Sequence, residues 1–164
     1  MNNKELLSIA IEASIKAGKA IIEVYESDDF GIEVKGDKSP LTKADLAADK
    51  IIRNFLVKTD IPILSEEGKD IPYETRKNWD CLWIVDPIDG TKEFINKNGE
   101  FTVNIALIKN QKTVLGVVYA PAINELYFSS EENGSFKAND VSHLTLDEIY
   151  KSSKTLPIKS KKNK

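Results

Sequence analysis

The 164-residue chain contains 41% hydrophobic and 30% charged residues, a composition typical of a globular domain and not of a disordered or fibrous protein. Its apolar runs are far shorter than the roughly 18 residues that suggest a membrane span, and its N-terminus lacks the uninterrupted apolar stretch of a secretory signal. The single cysteine, Cys81, cannot form an internal disulfide, which suits a reducing compartment. We therefore expect a soluble cytoplasmic domain.

The formal net charge of −3 conceals an uneven distribution. Residues 151–164 contain six lysines and no acid, so the first 150 residues carry 17 basic against 26 acidic side chains, a net charge of −9. The basic segment is compatible with an arm that binds nucleic acid or a membrane surface, which would make the protein membrane-peripheral, or with a solvated tail. The tail is favoured because no aromatic or arginine residue interleaves the lysines. The acidic body argues against nucleic acid as a partner.

Two amphipathic helices are predicted in the first third of the chain. Apolar residues at three- and four-residue spacing indicate a helix over residues 4–26. Alternation predicts a short strand at residues 32–34, and residues 36–40 have the composition of a turn. Thr42 then has the character of an N-cap, which predicts a second helix that ends at about residue 58.

The remaining sequence indicates a series of short strands. Apolar or alternating runs predict them at residues 62–64, 82–85, 101–109, 113–120, 125–129 and 135–137. Residues 67–78 are polar and predicted as a loop, whereas residues 91–95 are predicted as a short helix. Two helices followed by consecutive strands indicate an α+β fold, in which a mainly antiparallel sheet packs against the two long N-terminal helices.

Acidic residues follow two of the predicted strands. Glu66 comes after residues 62–64, and Asp86 and Asp89 come after residues 82–85. These carboxylates lie close together if the two strands are neighbours, and like charges at short distance raise each other's pKa unless a cation compensates them. An all-oxygen ligand set favours Mg²⁺ over zinc. The alternative role for Asp86 and Asp89 is turn formation and helix capping.

The residues next to this acidic pair suit a phosphate group. Gly90 permits a sharp bend, and a helix that begins at Thr91 presents backbone N–H groups and the positive end of its dipole, which bind anions. The carbonyl oxygen of Ile88 is a further candidate ligand. Metal and phosphate together indicate phosphoryl hydrolysis by metal-activated water. Asp45 lies three residues after Thr42, where a carboxylate stabilises a helix without any catalytic role.

Three segments resemble the inositol monophosphatase superfamily of lithium-sensitive, Mg²⁺-dependent phosphatases. They are Ser39-Pro-Leu-Thr-Lys-Ala-Asp45, Leu64-Ser-Glu66-Glu67 and Trp83-Ile-Val-Asp86-Pro-Ile-Asp89-Gly-Thr91. Residues 91–95, 98–107 and 116–121 are more similar to the CysQ-type 3′(2′),5′-bisphosphate nucleotidases. Lys92 and Glu93 favour that branch, because inositol monophosphatases tend to have Thr and Asn there. The similarity runs from about residue 4 to residue 140.

The resemblance implies a role for each matching residue. The metal ligands would be Glu66, Asp86, Asp89 and the carbonyl oxygen of Ile88. Asp45 and Thr91 would orient and activate the attacking water, with Glu66 also in the catalytic set. The N–H groups of Gly90 and Thr91 would hold the phosphate. The partner would be a small phosphorylated nucleotide: adenosine 3′,5′-bisphosphate, converted to AMP and phosphate in sulfur metabolism, or 3′-phosphoadenylyl sulfate.

The chain departs from this family in length. Members continue through a second α/β half, whose Trp-Asp-x-Ala-Gly-like element supplies another metal ligand, and Trp79-Asp80 does not match that element. We expect residues 1–150 to form an N-terminal metal- and phosphate-binding domain and residues 151–164 to be an interrupted connection to an absent half. Activity would then be reduced or lost, and the uncovered surface would favour self-association. The alternatives are an inositol monophosphatase or related sugar phosphatase, and an inactive remnant that binds metal or another protein.

Overall fold

The computed structural model describes residues 1–27, 29–34, 36 and 40–157. Within them the α-helices are α1 (Asn3–Ser27), α2 (Lys43–Leu56), α3 (Tyr73–Arg76), α4 (Thr91–Ile95) and α5 (Leu146–Ser152). The strands are β1 (Glu33–Val34), β2 (Pro40–Leu41), β3 (Ile63–Ser65), β4 (Cys81–Asp89), β5 (Thr102–Lys109), β6 (Lys112–Ala120), β7 (Glu125–Ser130), β8 (Gly134–Asn139) and β9 (Lys154–Thr155). Short 3₁₀ helices occur at Val57–Thr59 and Val141–His143.

Strands β3 to β9 form one seven-stranded sheet in the order in which they follow one another along the chain. β3 pairs with β4 in parallel, and the later pairs are antiparallel. Asn110 and Gln111, which join β5 to β6, have φ angles of 50° and 63°, as tight hairpin turns require. β1 and β2 form a separate antiparallel pair. The prediction of an α+β fold with a mainly antiparallel sheet is confirmed.

The two long helices cover one face of this sheet. α1 packs against α2, β5 and β6, while α2 packs against β3 and β4. Apolar residues of the helices, such as Ala17 and Ile52, and of the strands, such as Trp83 and Leu107, are almost completely buried in one core. Burial of such apolar surface stabilises the fold by about 25 cal/mol for each Å². This packing places α2 directly behind the ends of β3 and β4.

The described residues leave the opposite face of the sheet uncovered. Successive side chains of a strand point to opposite faces, so Ile84 and Val118 point away from the helices and are 42% and 40% exposed. A shallow groove on this face is lined by residues that include Ile84, Ala106, Gly116, Val118 and Tyr127. We call these five residues the open face.

Several elements differ from the sequence-based predictions. β4 does not end at residue 85 but runs from Cys81 through Asp89, because a β-bulge between Asp86 and Asp89 lets the strand continue past Pro87. The polar segment 67–78, predicted as a loop, contains the short helix α3. α5 and β9 were not predicted at all. The second helix ends at Leu56, and a 3₁₀ helix carries the chain on from there.

The C-terminal segment continues the fold beyond residue 150. That boundary falls within α5, and β9 pairs with β8, with Thr155 opposite Phe136. The last seven residues of the basic segment, 158–164, lie outside the described residues, as do residues 37–39 of the predicted turn. Among the residues that the structure describes, no helix combines the length and apolar character needed to cross a membrane.

Candidate functional site

Glu66 and Asp86 occupy neighbouring positions where the parallel pairing of β3 and β4 ends. Ser65, the last residue of β3, is paired with Val85 of β4. The backbone N–H of Glu66 donates a hydrogen bond to the carbonyl oxygen of Val85 at 3.0 Å. Glu66 follows Ser65 and Asp86 follows Val85, so the two carboxyl groups lie side by side and share a hydrogen bond. The two strands are neighbours, which is the condition under which the sequence predicts that these carboxylates lie close together.

A β-bulge brings Asp89 to the same edge of the sheet. Asp86 pairs with Asn104 of β5, but Asp89 pairs with Thr102, so β4 contains one more residue than β5 over this stretch. Pro87, which has no N–H to donate, is tolerated at such an irregularity. The side-chain amide of Asn104 donates to Oδ2 of Asp89 at 3.2 Å, and Thr102 Oγ1 donates to Oδ1 of Asn104 at 3.2 Å.

Asn104 contacts this site although it was not among the residues predicted from the sequence. The signal was present, because Thr102 and Asn104 alternate with the buried residues of β5 and are therefore on one face of that strand. The register that sets them opposite the acids depends on the bulge in β4, and the sequence does not reveal that bulge.

Asp86 lies in an environment that opposes its ionisation. The pKa of Asp86 is raised from its ordinary value of 3.8 to about 7. Burial is the largest cause, followed by the negative charges of Glu66 and Asp89, the hydrogen bond with Glu66 and the charge of Asp45. Oδ1 of Asp86 is buried and has no hydrogen-bond partner among the described residues. A buried acceptor of this kind costs free energy unless a donor or a cation reaches it.

Asp45 has both a structural and a site-facing role. It occupies the N3 position of α2, and its Oδ2 accepts hydrogen bonds from the backbone N–H (2.7 Å) and the hydroxyl (2.6 Å) of Thr42, which completes a capping box. Its other oxygen, Oδ1, lies 3.3 Å from the hydroxyl of Thr91, which also lies 3.2 Å from the carbonyl oxygen of Ile88. Asp45 is only 1% exposed. The capping role that the sequence predicts is therefore present, together with a contact to Thr91.

Gly90 and α4 complete the site. Gly90 has a φ of 97°, and a Cβ atom there would lie 2.8 Å from the carbonyl oxygen of Glu100, so only glycine fits without a shift of the backbone. α4 begins at Thr91, as the sequence predicts, and is anchored by the buried ring of Phe94. The Phe94 ring packs edge-on against Phe101 at a centroid distance of 5.2 Å.

The residues present fit a hard divalent cation in charge and in donor type. Glu66, Asp86 and Asp89 offer oxygen donors, and both the buried Oδ1 of Asp86 and its raised pKa indicate a missing positive charge. Within the described ranges, however, no group of three or more His, Cys, Asp or Glu side chains is placed to hold an ion. The three carboxylates therefore interact electrostatically but do not converge on one point.

The fold and the acidic edge place the chain among α+β proteins that carry a carboxylate cluster at the end of a largely antiparallel sheet. Within that class the chain belongs to the inositol monophosphatase family, whose profile matches residues 2–163.

The relatives that it matches are longer than this chain. It is 48% identical over 130 residues to the 3'(2'),5'-bisphosphate nucleotidase CysQ of Escherichia coli (strain K12), an alignment that covers 77% of this chain and 52% of that protein. The crystal structure of CysQ from Bacteroides thetaiotaomicron superposes with a TM-score of 0.85 and 43% identity, over 98% of this chain and 60% of that one. The IMPase of Thermotoga maritima superposes with a TM-score of 0.70 and 33% identity, over 81% of this chain and 51% of that one. The chain spans about half the length of the curated relatives it matches.

Proposed function

We propose that the chain is the metal- and phosphate-binding part of a Mg²⁺-dependent 3′(2′),5′-bisphosphate nucleotidase, which releases the 3′-phosphate of adenosine 3′,5′-bisphosphate to give AMP. The observation that carries the proposal is the Glu66–Asp86 pair, in which two acids lie side by side where the parallel pairing of β3 and β4 ends and the pKa of Asp86 is raised to about 7. Such a pair is a strong binding site for a cation. A cytoplasmic location is part of the same proposal.

The proposed ligands of Mg²⁺ are oxygen atoms of β4 and of the residue after β3. They are the carboxylates of Glu66, Asp86 and Asp89 and the carbonyl oxygen of Ile88. When bound, Mg²⁺ polarises a phosphoryl oxygen and increases the acidity of a nearby water molecule. Asn104 holds Asp89 through its amide and thereby limits the orientations of that carboxylate.

Thr91 and Asp45 are proposed to orient the attacking water. Because Oδ2 of Asp45 is engaged by Thr42, only Oδ1 faces Thr91. The Thr91 hydroxyl has one proton and two acceptors within reach, Oδ1 of Asp45 at 3.3 Å and the carbonyl oxygen of Ile88 at 3.2 Å. When the Ile88 carbonyl oxygen is a ligand of Mg²⁺, the proton points to Asp45, and the lone pairs of the hydroxyl can accept a hydrogen bond from water. A proton that leaves the water then has a path through Thr91 to the Asp45 carboxylate. The backbone N–H groups of Gly90 and Thr91 are proposed to hold the phosphate.

The choice of substrate rests on the relatives and on two residues. The curated relatives at 48% identity carry the name 3'(2'),5'-bisphosphate nucleotidase, and Lys92 and Glu93 favour that branch over inositol monophosphatases. A sugar or inositol phosphatase is the second candidate, because the Thermotoga maritima IMPase shares the fold at 33% identity. An inactive protein that binds metal or another protein is the third, because no group of three or more His, Cys, Asp or Glu side chains in the described part of the chain is placed to hold an ion.

The test is phosphate release by the purified chain from adenosine 3′,5′-bisphosphate and, in parallel, from inositol 1-phosphate, with and without Mg²⁺. We expect slow, Mg²⁺-dependent and lithium-sensitive release from the nucleotide, lost in Asp86→Asn and Thr91→Ala. Asp70→Asn, a change at an exposed acid outside the site, is the matched control. Preference for inositol 1-phosphate would favour the second candidate. Mg²⁺ binding without release from either compound would favour the third candidate.

A further inference from the structure

α2 carries a second buried acid, one helical turn after Asp45. Asp49 is only 8% exposed, and each of its oxygens has a partner. Oδ1 accepts a short hydrogen bond from the hydroxyl of Ser65, which is also 8% exposed. Oδ2 accepts from Nε of Arg53 at 2.7 Å, an ion pair at i, i+4 on the helix. The proposed function gives Asp49, Arg53 and Ser65 no role.

Ser65 is the residue that leads into the acidic site. It ends β3, and Glu66 follows it directly. The N–H of Gly68 donates to the carbonyl oxygen of Ser65 at 3.0 Å, which closes a four-residue turn with Glu66 as its second residue. The N–H of Glu66 is bonded to Val85 at 3.0 Å. The hydrogen bond between Ser65 and Asp49 therefore fixes the beginning of the turn that carries Glu66.

Arg53 fixes the other end of the same turn. A Cβ atom added to Gly68 would lie 2.4 Å from Nη2 of Arg53 and 3.0 Å from the carbonyl oxygen of Ser65. The guanidinium group thus lies directly against Gly68, while its Nε binds Asp49. Because the guanidinium is planar and rigid, it can bind a carboxylate and pack against backbone at the same time. We call Asp49, Arg53, Ser65 and Gly68 the turn clamp.

We propose that Asp49, supported by Arg53, is a positioning residue that holds Ser65 and thereby sets Glu66 beside Asp86. One helix then places both parts of the site: Asp45 contacts Thr91, and Asp49 fixes the turn of Glu66. The role of Glu66 as a metal ligand rests on the proposed function, whereas the turn clamp itself does not.

A purely structural role for Asp49 makes a different prediction. A buried carboxylate needs partners for stability alone, and loss of a partner would then weaken the whole fold evenly. A positioning role predicts a loss of amide protection that is confined to Glu66 and Gly68, together with a lower affinity for a cation. Partners behind metal ligands typically change metal affinity by about 10- to 100-fold when they are removed.

The experiment compares Ser65→Ala with Thr59→Ala in the full chain. Like Ser65, Thr59 makes a side-chain hydrogen bond to the interior: its hydroxyl accepts from Nε1 of Trp83 at 3.0 Å. Thr59, however, precedes β3 and is therefore at the end of that strand remote from Glu66. Two quantities are measured: amide hydrogen exchange, residue by residue, and the dissociation constant of Mn²⁺ by electron paramagnetic resonance. Ser65→Thr, which keeps the hydroxyl, is the rescue variant.

We expect Ser65→Ala to accelerate exchange at Glu66 and Gly68 by about tenfold relative to the central strand β5, and to raise the Mn²⁺ dissociation constant by about tenfold. We expect Thr59→Ala to change neither the exchange at Glu66 and Gly68 relative to β5 nor the Mn²⁺ dissociation constant. Ser65→Thr should restore the wild-type values of both quantities. Equal effects of the two alanine variants at Glu66 and Gly68 overturn the proposal.

Two further outcomes are separated by the design. If the wild-type chain binds no Mn²⁺, the proposed metal site fails, and the exchange data alone decide on the turn clamp. If Ser65→Ala does not fold, Asp49→Asn and Arg53→Lys replace it. The first keeps the shape of the carboxylate but removes its charge, and the second keeps the positive charge but removes the planar guanidinium that lies against Gly68. Faster amide exchange at Glu66 relative to β5 in these variants supports the proposal, and unchanged exchange at Glu66 overturns it.

Discussion

Glu66 and Asp86 lie next to each other on parallel strands, and they differ in environment. Glu66 is exposed, whereas Asp86 is half-buried, with one oxygen enclosed and without a partner among the described residues. Burial, followed by the neighbouring charges of Glu66 and Asp89, raises the pKa of Asp86 to about 7. Below about pH 7 Asp86 therefore holds a proton that a cation can replace.

This proton makes stability depend on pH. Between the ordinary pKa of 3.8 and the folded value of about 7, the folded chain binds a proton that the unfolded chain has released, so this contribution is complete below pH 4 and is lost as the pH rises to 7. Because Asp86 is half-exposed and solvent screens its interactions, only part of the full linkage energy applies. We therefore expect Asp86→Asn, which cannot ionise, to gain roughly 1–2 kcal/mol relative to wild type between about pH 5 and pH 8. Urea denaturation at several pH values measures the difference, with Asp70→Asn as the control. A difference that does not change with pH would contradict this explanation.

Mg²⁺ should replace the proton of Asp86. Because a ligand that binds only the folded state stabilises it by mass action, and because a protonated carboxyl is a poor ligand, we expect a fixed excess of Mg²⁺ to raise the melting temperature more at pH 8 than at pH 5. Thermal unfolding at matched ionic strength, with Na⁺ in place of Mg²⁺ as the control, measures the effect. An equal rise at both pH values would argue that Mg²⁺ binds elsewhere.

The sequence was a good guide wherever the structure follows local chemistry. The spacing of apolar residues predicts α1 and α2, and the capping box of Thr42 and Asp45 is found where the sequence indicates it. The meeting of Glu66 and Asp86 was predicted only on the condition that the apolar runs before them are neighbouring strands, and the pairing of β3 with β4 satisfies that condition. α5 was missed although Thr145 and Glu148 form a second capping box. Its single turn of apolar residues was too short to show a clear period.

The sequence was a poor guide wherever a contact depends on register or on packing between distant segments. Pro87 and Gly90 both indicate a turn, so the continuation of β4 to Asp89 could be seen only from its pairing with β5. The contact between Asp49 and Ser65 joins residues 16 positions apart, and it exists because α2 packs against β3. Neither residue carries a local signal for this contact.

The capping and site-facing roles of Asp45 can be separated by substitution of its two partners. Thr42→Ala removes the hydroxyl of the cap and should lower the free energy of unfolding by about 1 kcal/mol, while Oδ1 of Asp45 still faces Thr91. Thr91→Ala removes the longer contacts of 3.3 and 3.2 Å, so its effect on stability is smaller, but it should lower phosphate release by about 10²-fold or more. Denaturation and turnover are measured on both variants. Equal losses of turnover would show that Thr91 acts only through the local structure.

The close backbone approach at Gly90 can be measured against a second glycine. Gly90 and Gly134 have φ angles of 97° and 84°, but a Cβ atom meets the Glu100 carbonyl oxygen at Gly90 and nothing within 4 Å at Gly134. Both alanine variants carry the backbone strain of about 1 kcal/mol or more. We expect Gly90→Ala to be less stable than Gly134→Ala by at least about 1 kcal/mol, since overpacking adds to the strain. Chemical denaturation measures the free energy of unfolding of both variants. Equal decreases would mean that the backbone near Glu100 moves to accept the added methyl group at little cost.

The open face of the sheet leads us to expect self-association of the chain. Ile84 and Val118 are 42% and 40% exposed, and contiguous apolar surface of this kind favours contact with another molecule. Val118→Lys places a charge in the middle of the face and should shift the chain toward the monomer, because burial of an unpaired charge is costly. Ile123→Lys, at a residue 63% exposed in the turn between β6 and β7, is the matched control and should leave the assembly unchanged. Light scattering over a range of concentrations measures the mass of each variant. A wild-type chain that stays monomeric at every concentration, or an equal effect of both lysines, would exclude the open face as the contact surface.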